Sequence, residues 1–175
     1  LLMDALQQRD QGNIPGAVAS LEQLLREKPD HLDAALELYR LQEDPSLAVE
    51  AAGKAIILAK RGGDMDTPLA VYADMNQLHP GAMWNDRALL SVAETYDRRG
   101  DPSSAVSVYE RLVRTDPDSP LAPKALINWA RICKEQLNRF DQAREILEHV
   151  VNNYHDSAFA DVAERMLREL SVSDL

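Results

Sequence analysis

ALLSVAETY at 88–96 and ALINWARIC at 125–133 are one pattern written twice, 37 residues apart. After one extra residue in the turn, AVSVYERLVRTDPDSPLA at 105–122 overlays AREILEHVVNNYHDSAFA at 143–160, now 38 apart. A period of this size marks stacked helix–turn–helix units. One such pair of helices cannot bury its apolar face alone, so neighbours must stack to close a core. The expected fold is therefore all-α, an α-solenoid of stacked antiparallel helix pairs.

Working outward, helical spacing and caps predict about ten helices. They lie at 1–10, 14–27, 31–41, 45–60, 68–78, 85–99, 102–114, 120–136, 140–152 and 157–170. Four starts carry a capping residue followed by proline: Asp44-Pro45, Thr67-Pro68, Asp101-Pro102 and Ser119-Pro120. A cap side chain accepts a bond from an orphaned amide, and proline is tolerated next because its missing N–H would be unpaired there. No stretch alternates apolar and polar with period 2, and no Asn-Gly or Asp-Gly turn appears, so strands are not expected.

Within 88–117, Leu89, Val92, Ala93 and Tyr96 make one apolar stripe, and Ala105, Val108, Tyr109 and Leu112 make the facing one. Small Ala93 and Ala105 sit where two backbones approach, Gly100 turns the chain and Pro117 ends the second helix. In these residues the chain resembles the tetratricopeptide repeat family. The next unit matches with Leu126, Trp129, Ala130, Cys133, Ala143, Leu147 and Val150, and departs at Cys133 and His155, where the family has tyrosine and proline. The first unit matches with Ala5, Gly12, Ala17, Leu21, Leu24 and Pro29. The resemblance implies a right-handed superhelix forming a single domain over 1–175. Its regular repeats fall at about 1–30, 82–119 and 120–156, with an irregular middle at 31–81 and a C-terminal capping helix at 157–170. Two pairings fit the middle. The helix at 45–60 closes against the third helix and also opens the pair completed by 68–78, or 31–60 is an ordinary pair and 68–78 is extra.

Composition narrows the function. A net charge of −10 excludes a sequence-independent grip on nucleic acid, which needs clustered Lys and Arg. No apolar run approaches the ~20 residues needed to cross a bilayer, so direct membrane insertion by this segment is not expected. The single cysteine forms no internal disulfide and leaves the compartment open, cytoplasmic or periplasmic. The chain begins at Leu1 inside a helical pattern, which reads as an excised domain or processed fragment. The long period of the last two units is similar to repeats of bacterial envelope proteins (outer-membrane assembly lipoproteins and Tol-Pal coordinators). It is also similar to repeat tails of rhomboid-type intramembrane proteases. That likeness implies a second role, a soluble tethering extension of a membrane or envelope protein.

No constellation for chemistry is present. The sequence lacks GxGxxG, GxxxxGK[ST], GxSxG and HExxH segments, so no catalytic, cofactor or metal site is expected and the chain is not read as an enzyme. His149 and His155 are six apart with a turn between them, which is not ligand spacing, and His31 and His79 read as caps or surface. Cys133 falls where the pattern buries a ring and reads as structural filler. Trp84 reads as a packing staple or an exposed anchor, and the tail 171–175 as a frayed end.

What remains is a surface. The resemblance implies that the first helix of each pair lines a concave groove that takes an extended peptide or a partner helix. On those helices the residues off the packing stripe are Arg87, Glu94, Asp97 and Arg98, then Lys124, Asn128, Arg131 and Lys134. Arg87, Arg98, Lys124, Arg131 and Lys134 make a locally basic stripe on an acidic chain, suited to a carboxylate-bearing peptide. The expected function is a non-catalytic protein–protein interaction scaffold. The partner's identity and the oligomeric state are left open.

Overall fold

In the computed structural model, residues 1–173 are described, with side chains through 171. Among the described residues ten α-helices form: α1 (Leu2–Asp10), α2 (Ile14–Glu27), α3 (Leu32–Leu41), α4 (Pro45–Arg61), α5 (Thr67–Leu78), α6 (Asp86–Arg98), α7 (Pro102–Thr115), α8 (Ala122–Glu135), α9 (Phe140–Asn153) and α10 (Ala158–Ser173). Helices adjacent in the chain pack on one another, which makes the fold an all-α solenoid of helix pairs. The tail reading falls partly on 172–175, outside the described side chains.

Most starts are built as the cap chemistry demands. The Asp44 carboxylate accepts from the amides of Ser46 and Leu47 at 2.9 and 3.1 Å, and Asp101 accepts from Ser104 N at 3.0 Å. Two proline-marked starts differ from expectation. Thr67 is inside α5, and Asp64 does the capping: its carboxylate accepts from the amides of Asp66 and Thr67 and from the Thr67 hydroxyl, at 2.8, 3.1 and 2.6 Å. Ser119 precedes a separate turn, where its Oγ accepts from Leu121 N at 3.1 Å. The helix begins two residues after Pro120, with Pro123 in its first turn. In both places a side chain with a reachable amide takes the cap, and proline alone does not set the boundary.

The turns of the two long repeats explain their different lengths. Gly100 sits at φ +75° between α6 and α7, the left-handed region that glycine enters without a Cβ clash. Asn138, its counterpart one repeat on, adopts φ +53° in a turn one residue longer, closed by Arg139 N donating to Cys133 O at 2.8 Å. Asparagine tolerates this region better than other side chains.

The chain divides into two compact units, 1–92 and 93–175, with the boundary inside α6. In the first unit α1 to α5 pack in sequence, and α4 touches both α3 and α5. Gly53 in the middle of α4 faces Asn85 and Ala88 at the start of α6. Trp84 is buried, its ring 5.2 Å from Tyr72 and its Nε1 donating to Asn76 Oδ1 at 3.3 Å, so it packs and does not stand out as an anchor. In the second unit Leu126, Ile127, Ala130 and Cys133 of α8 close against Ala143, Ile146, Leu147 and Val150 of α9, with Ala163 and Leu170 of α10 completing the cluster. The remaining face of α10 (Asp161, Glu164, Arg165, Arg168, Glu169) is exposed. Tyr154 adds a polar tie, its hydroxyl donating to Pro117 O at 2.7 Å across one repeat.

The α7 cap makes stability depend on pH. Hydrogen bonds from the side chain and then the backbone of Ser104 hold the Asp101 carboxyl below its ordinary pKa. A depressed folded pKa gives stability that is present above the unfolded value, near ~3.9, and is lost as pH falls through the folded one. Asp101→Asn keeps an accepting cap that does not titrate. It is expected to lose less stability than wild type between about pH 5 and pH 2.5, measured by urea unfolding at each pH. Equal losses would remove this assignment.

Candidate peptide-binding face

One face of the second unit gathers most of the residues singled out from sequence. Lys124, Asn128 and Arg131 are four and three residues apart on α8, which places them on one side of the helix. Lys134 follows one turn after Arg131. Each α8 cation meets a carboxylate from a flanking helix. Lys124 Nζ lies 2.8 Å from Glu94 Oε1 on α6, and Arg131 pairs with Asp97 on α6, with Glu135 Oε2 at 3.5 Å beside it. Lys134 Nζ lies 2.8 Å from Glu169 Oε2 on α10. Gln136 Nε2 donates to Asp97 Oδ1 at 3.0 Å. The stripe is thus a ladder of alternating sign, zipped to the helices on both sides of α8.

Arg98 is exposed at the end of α6, and Arg87 is exposed within the first unit and takes no part in the ladder. Sequence reading found the cations and missed two of their partners, Glu135 and Glu169. A signal existed for Glu169. It is 35 residues from Lys134, as Asp97 is 34 from Arg131, and residues one repeat apart face each other in a stacked array.

Beneath the ladder lies a buried hydroxyl. Tyr109 of α7 is fully buried, and its OH has no hydrogen-bond partner among the described residues. Burial, and after it the charges of Glu94 and Asp97, push its pKa up, while a loose contact with the Asn128 side chain, short of good hydrogen-bond geometry, and the charge of Arg131 act in the opposite sense. A buried donor without a partner costs about 1–3 kcal/mol of desolvation. Tyr109→Phe removes the hydroxyl and keeps the ring. It is expected to leave stability unchanged or raise it by about 1 kcal/mol, read from the urea midpoint. A loss above about 1 kcal/mol would mean that the hydroxyl is satisfied in solution.

Other candidate groups have structural partners. Cys133 is buried, burial raises its thiol pKa, and its Sγ lies 3.5 Å from Gln142 Oε1, so it is a poor nucleophile. His31 caps α3, its Nδ1 accepting from Ala34 N at 3.3 Å, and His149 Nδ1 meets the Asn153 amide at 3.0 Å. Among the described residues no group of three His, Cys, Asp or Glu could hold a metal ion.

Tetratricopeptide repeat family models match residues 2–64, 86–132 and 124–157. The chain belongs to the tetratricopeptide repeat family. Members of this repeat family are typically non-catalytic scaffolds that bind other proteins. Solved tetratricopeptide structures share the fold. A tetratricopeptide repeat protein from Parabacteroides merdae is 18% identical with a TM-score of 0.60, over 98% of this chain and 59% of that one. A set of nearly identical TPR-like repeats from Podosopora anserina is 13% identical with a TM-score of 0.62, covering 97% and 83%. A Bacteroides ovatus protein described as protein-binding is 17% identical with a TM-score of 0.56, covering 98% and 96%. No curated protein matches the sequence. Among the described residues no helix of this tetratricopeptide protein is long and apolar enough to cross a membrane.

Proposed function

We propose that this tetratricopeptide repeat chain is a non-catalytic scaffold that holds a peptide segment of a partner protein against the α6–α8–α10 face of its second unit. The residues assigned to contact are Glu94, Asp97, Arg98, Lys124, Asn128, Arg131 and Lys134. The partner segment carries carboxylates. The supporting observation is the row of cations on α8, Lys124, Arg131 and Lys134, each held by a partly exposed carboxylate of α6 or α10. A carboxylate arriving there replaces one already in place, so each cation keeps an anionic partner. Arg131 adds a planar fork suited to bidentate carboxylate recognition.

The test is a fluorescence-anisotropy titration with fluorescein-labelled hexaglutamate at low salt. Binding is expected, weakening as salt rises because the contacts are exposed and screened. Arg131→Glu with Lys134→Glu is expected to reduce affinity at least tenfold, and Arg131→Gln with Lys134→Gln severalfold with the helical circular dichroism unchanged. Charge-reversed protein that binds as well as wild type would remove this assignment.

A further inference from the structure

The ladder does more than hold helices together. We infer that Glu94, Asp97 and Glu169 are internal competitors that latch the α8 cations against an acidic ligand. This rests on the proposed anion-accepting face and adds its regulation and its ligand class.

The argument begins with occupancy. The three α8 cations of this face already have carboxylates: Lys124 has Glu94, Arg131 has Asp97, and Lys134 has Glu169. The pairs are partly exposed and not sealed. Side-chain exposure is 33% and 18% for Arg131 and Asp97, and 22% and 54% for Lys134 and Glu169. Pairs this wet are weak and exchangeable. A ligand with one carboxylate trades one weak pair for another and gains little. A ligand with several carboxylates on a flexible segment displaces two or three internal anions together, the later exchanges being intramolecular. The rise between Lys124 and Arg131 along α8 is about 10 Å, roughly three residues of extended peptide. A short acidic run spans it. The ligand class is therefore a segment of clustered Asp or Glu, not a single terminal carboxylate.

Displacement leaves the internal carboxylates without their cations. Asp97 keeps the Gln136 amide.

Neutral, nearly isosteric variants test this with the full chain. Asp97→Asn, Glu94→Gln and Glu169→Gln are each expected to tighten hexaglutamate binding about two- to fivefold, and together about tenfold or more. A labelled tetra-alanine peptide with one free carboxylate is expected to bind at least tenfold more weakly than hexaglutamate. Carboxylate-neutralised proteins that bind no tighter than a binding-competent wild type would overturn the latch and leave the proposed face standing. Hexaglutamate that binds neither wild type nor the neutralised variants would overturn the latch and the proposed face together.

Discussion

Leu147→Ala is expected to destabilise the second unit by about 3–4 kcal/mol. Leu147 is fully buried on α9, among Leu126, Ala130 and Cys133 of α8 and Ala163 and Leu170 of α10. Truncation removes the transfer free energy of three carbons and leaves a cavity. Neighbours anchored on three separate helices cannot all collapse into it, which puts the cost in the upper half of the usual range. In a repeat array stability is the sum of units and nearest-neighbour interfaces, so the damage is local. Hydrogen exchange should show faster exchange in α8, α9 and α10, and urea unfolding should show the lost free energy. A loss under about 1 kcal/mol would mean that this cluster is not the core of the unit.

Gly53→Leu is expected to cost about 3 kcal/mol, although glycine in mid-helix is the residue that propensity alone would replace. A Cβ at position 53 would lie 2.9 Å from Asn85 Nδ2 and 3.4 Å from Ala88 Cβ. Asn85 is not free to yield without loss, because its Oδ1 accepts from Ala88 N at 2.8 Å at the opening of α6. Gly53→Ala therefore sets a propensity gain of about 1 kcal/mol against a cap loss of about the same size, and the net effect is near zero. A leucine side chain adds three carbons with no space to enter, and helix α4 or the start of α6 must shift. Urea unfolding of the two variants beside wild type measures both effects. Gly53→Leu as stable as wild type would show that α4 and the start of α6 are not in close approach.

Why these effects were or were not visible in sequence differs from residue to residue. The apolar stripe of 88–112 and its copy at 125–150 named the buried positions correctly, because burial in a helix pair follows a 3.6-residue period. Leu89, Val92, Ala93, Ala105, Val108, Tyr109 and Leu112 are all buried. Tyr96, on the same stripe, and Trp129, on its copy, are only partly so. Helix ends at proline were less legible. Proline is allowed at a first turn without being required to start one, and Asp64, three residues before the expected cap Thr67, holds the amides. The tolerance of Gly53 was hidden entirely, since nothing local distinguishes a helical glycine that packs from one that merely weakens.

The candidate face shows the same division. Its residues could be chosen from helical geometry and the family resemblance, and seven of the eight lie in the second unit around α6 and α8. Their charge state as a group could not, because Lys134 and Glu169 are 35 residues apart in the chain and 2.8 Å apart in space. The orphaned Tyr109 hydroxyl was likewise invisible. The pattern requires a large ring there and is indifferent to the oxygen at its tip.

By itself the order of residues determined which segments are helical, which side of each is apolar, and that the units repeat, since all three follow from contacts within one or two helical turns. Only the tertiary structure decided which carboxylate neutralises which cation, which helical glycine is closely approached by a neighbouring helix and which buried oxygen lacks a partner. Those depend on side chains a whole repeat apart being brought within ångströms by the stacking of helices.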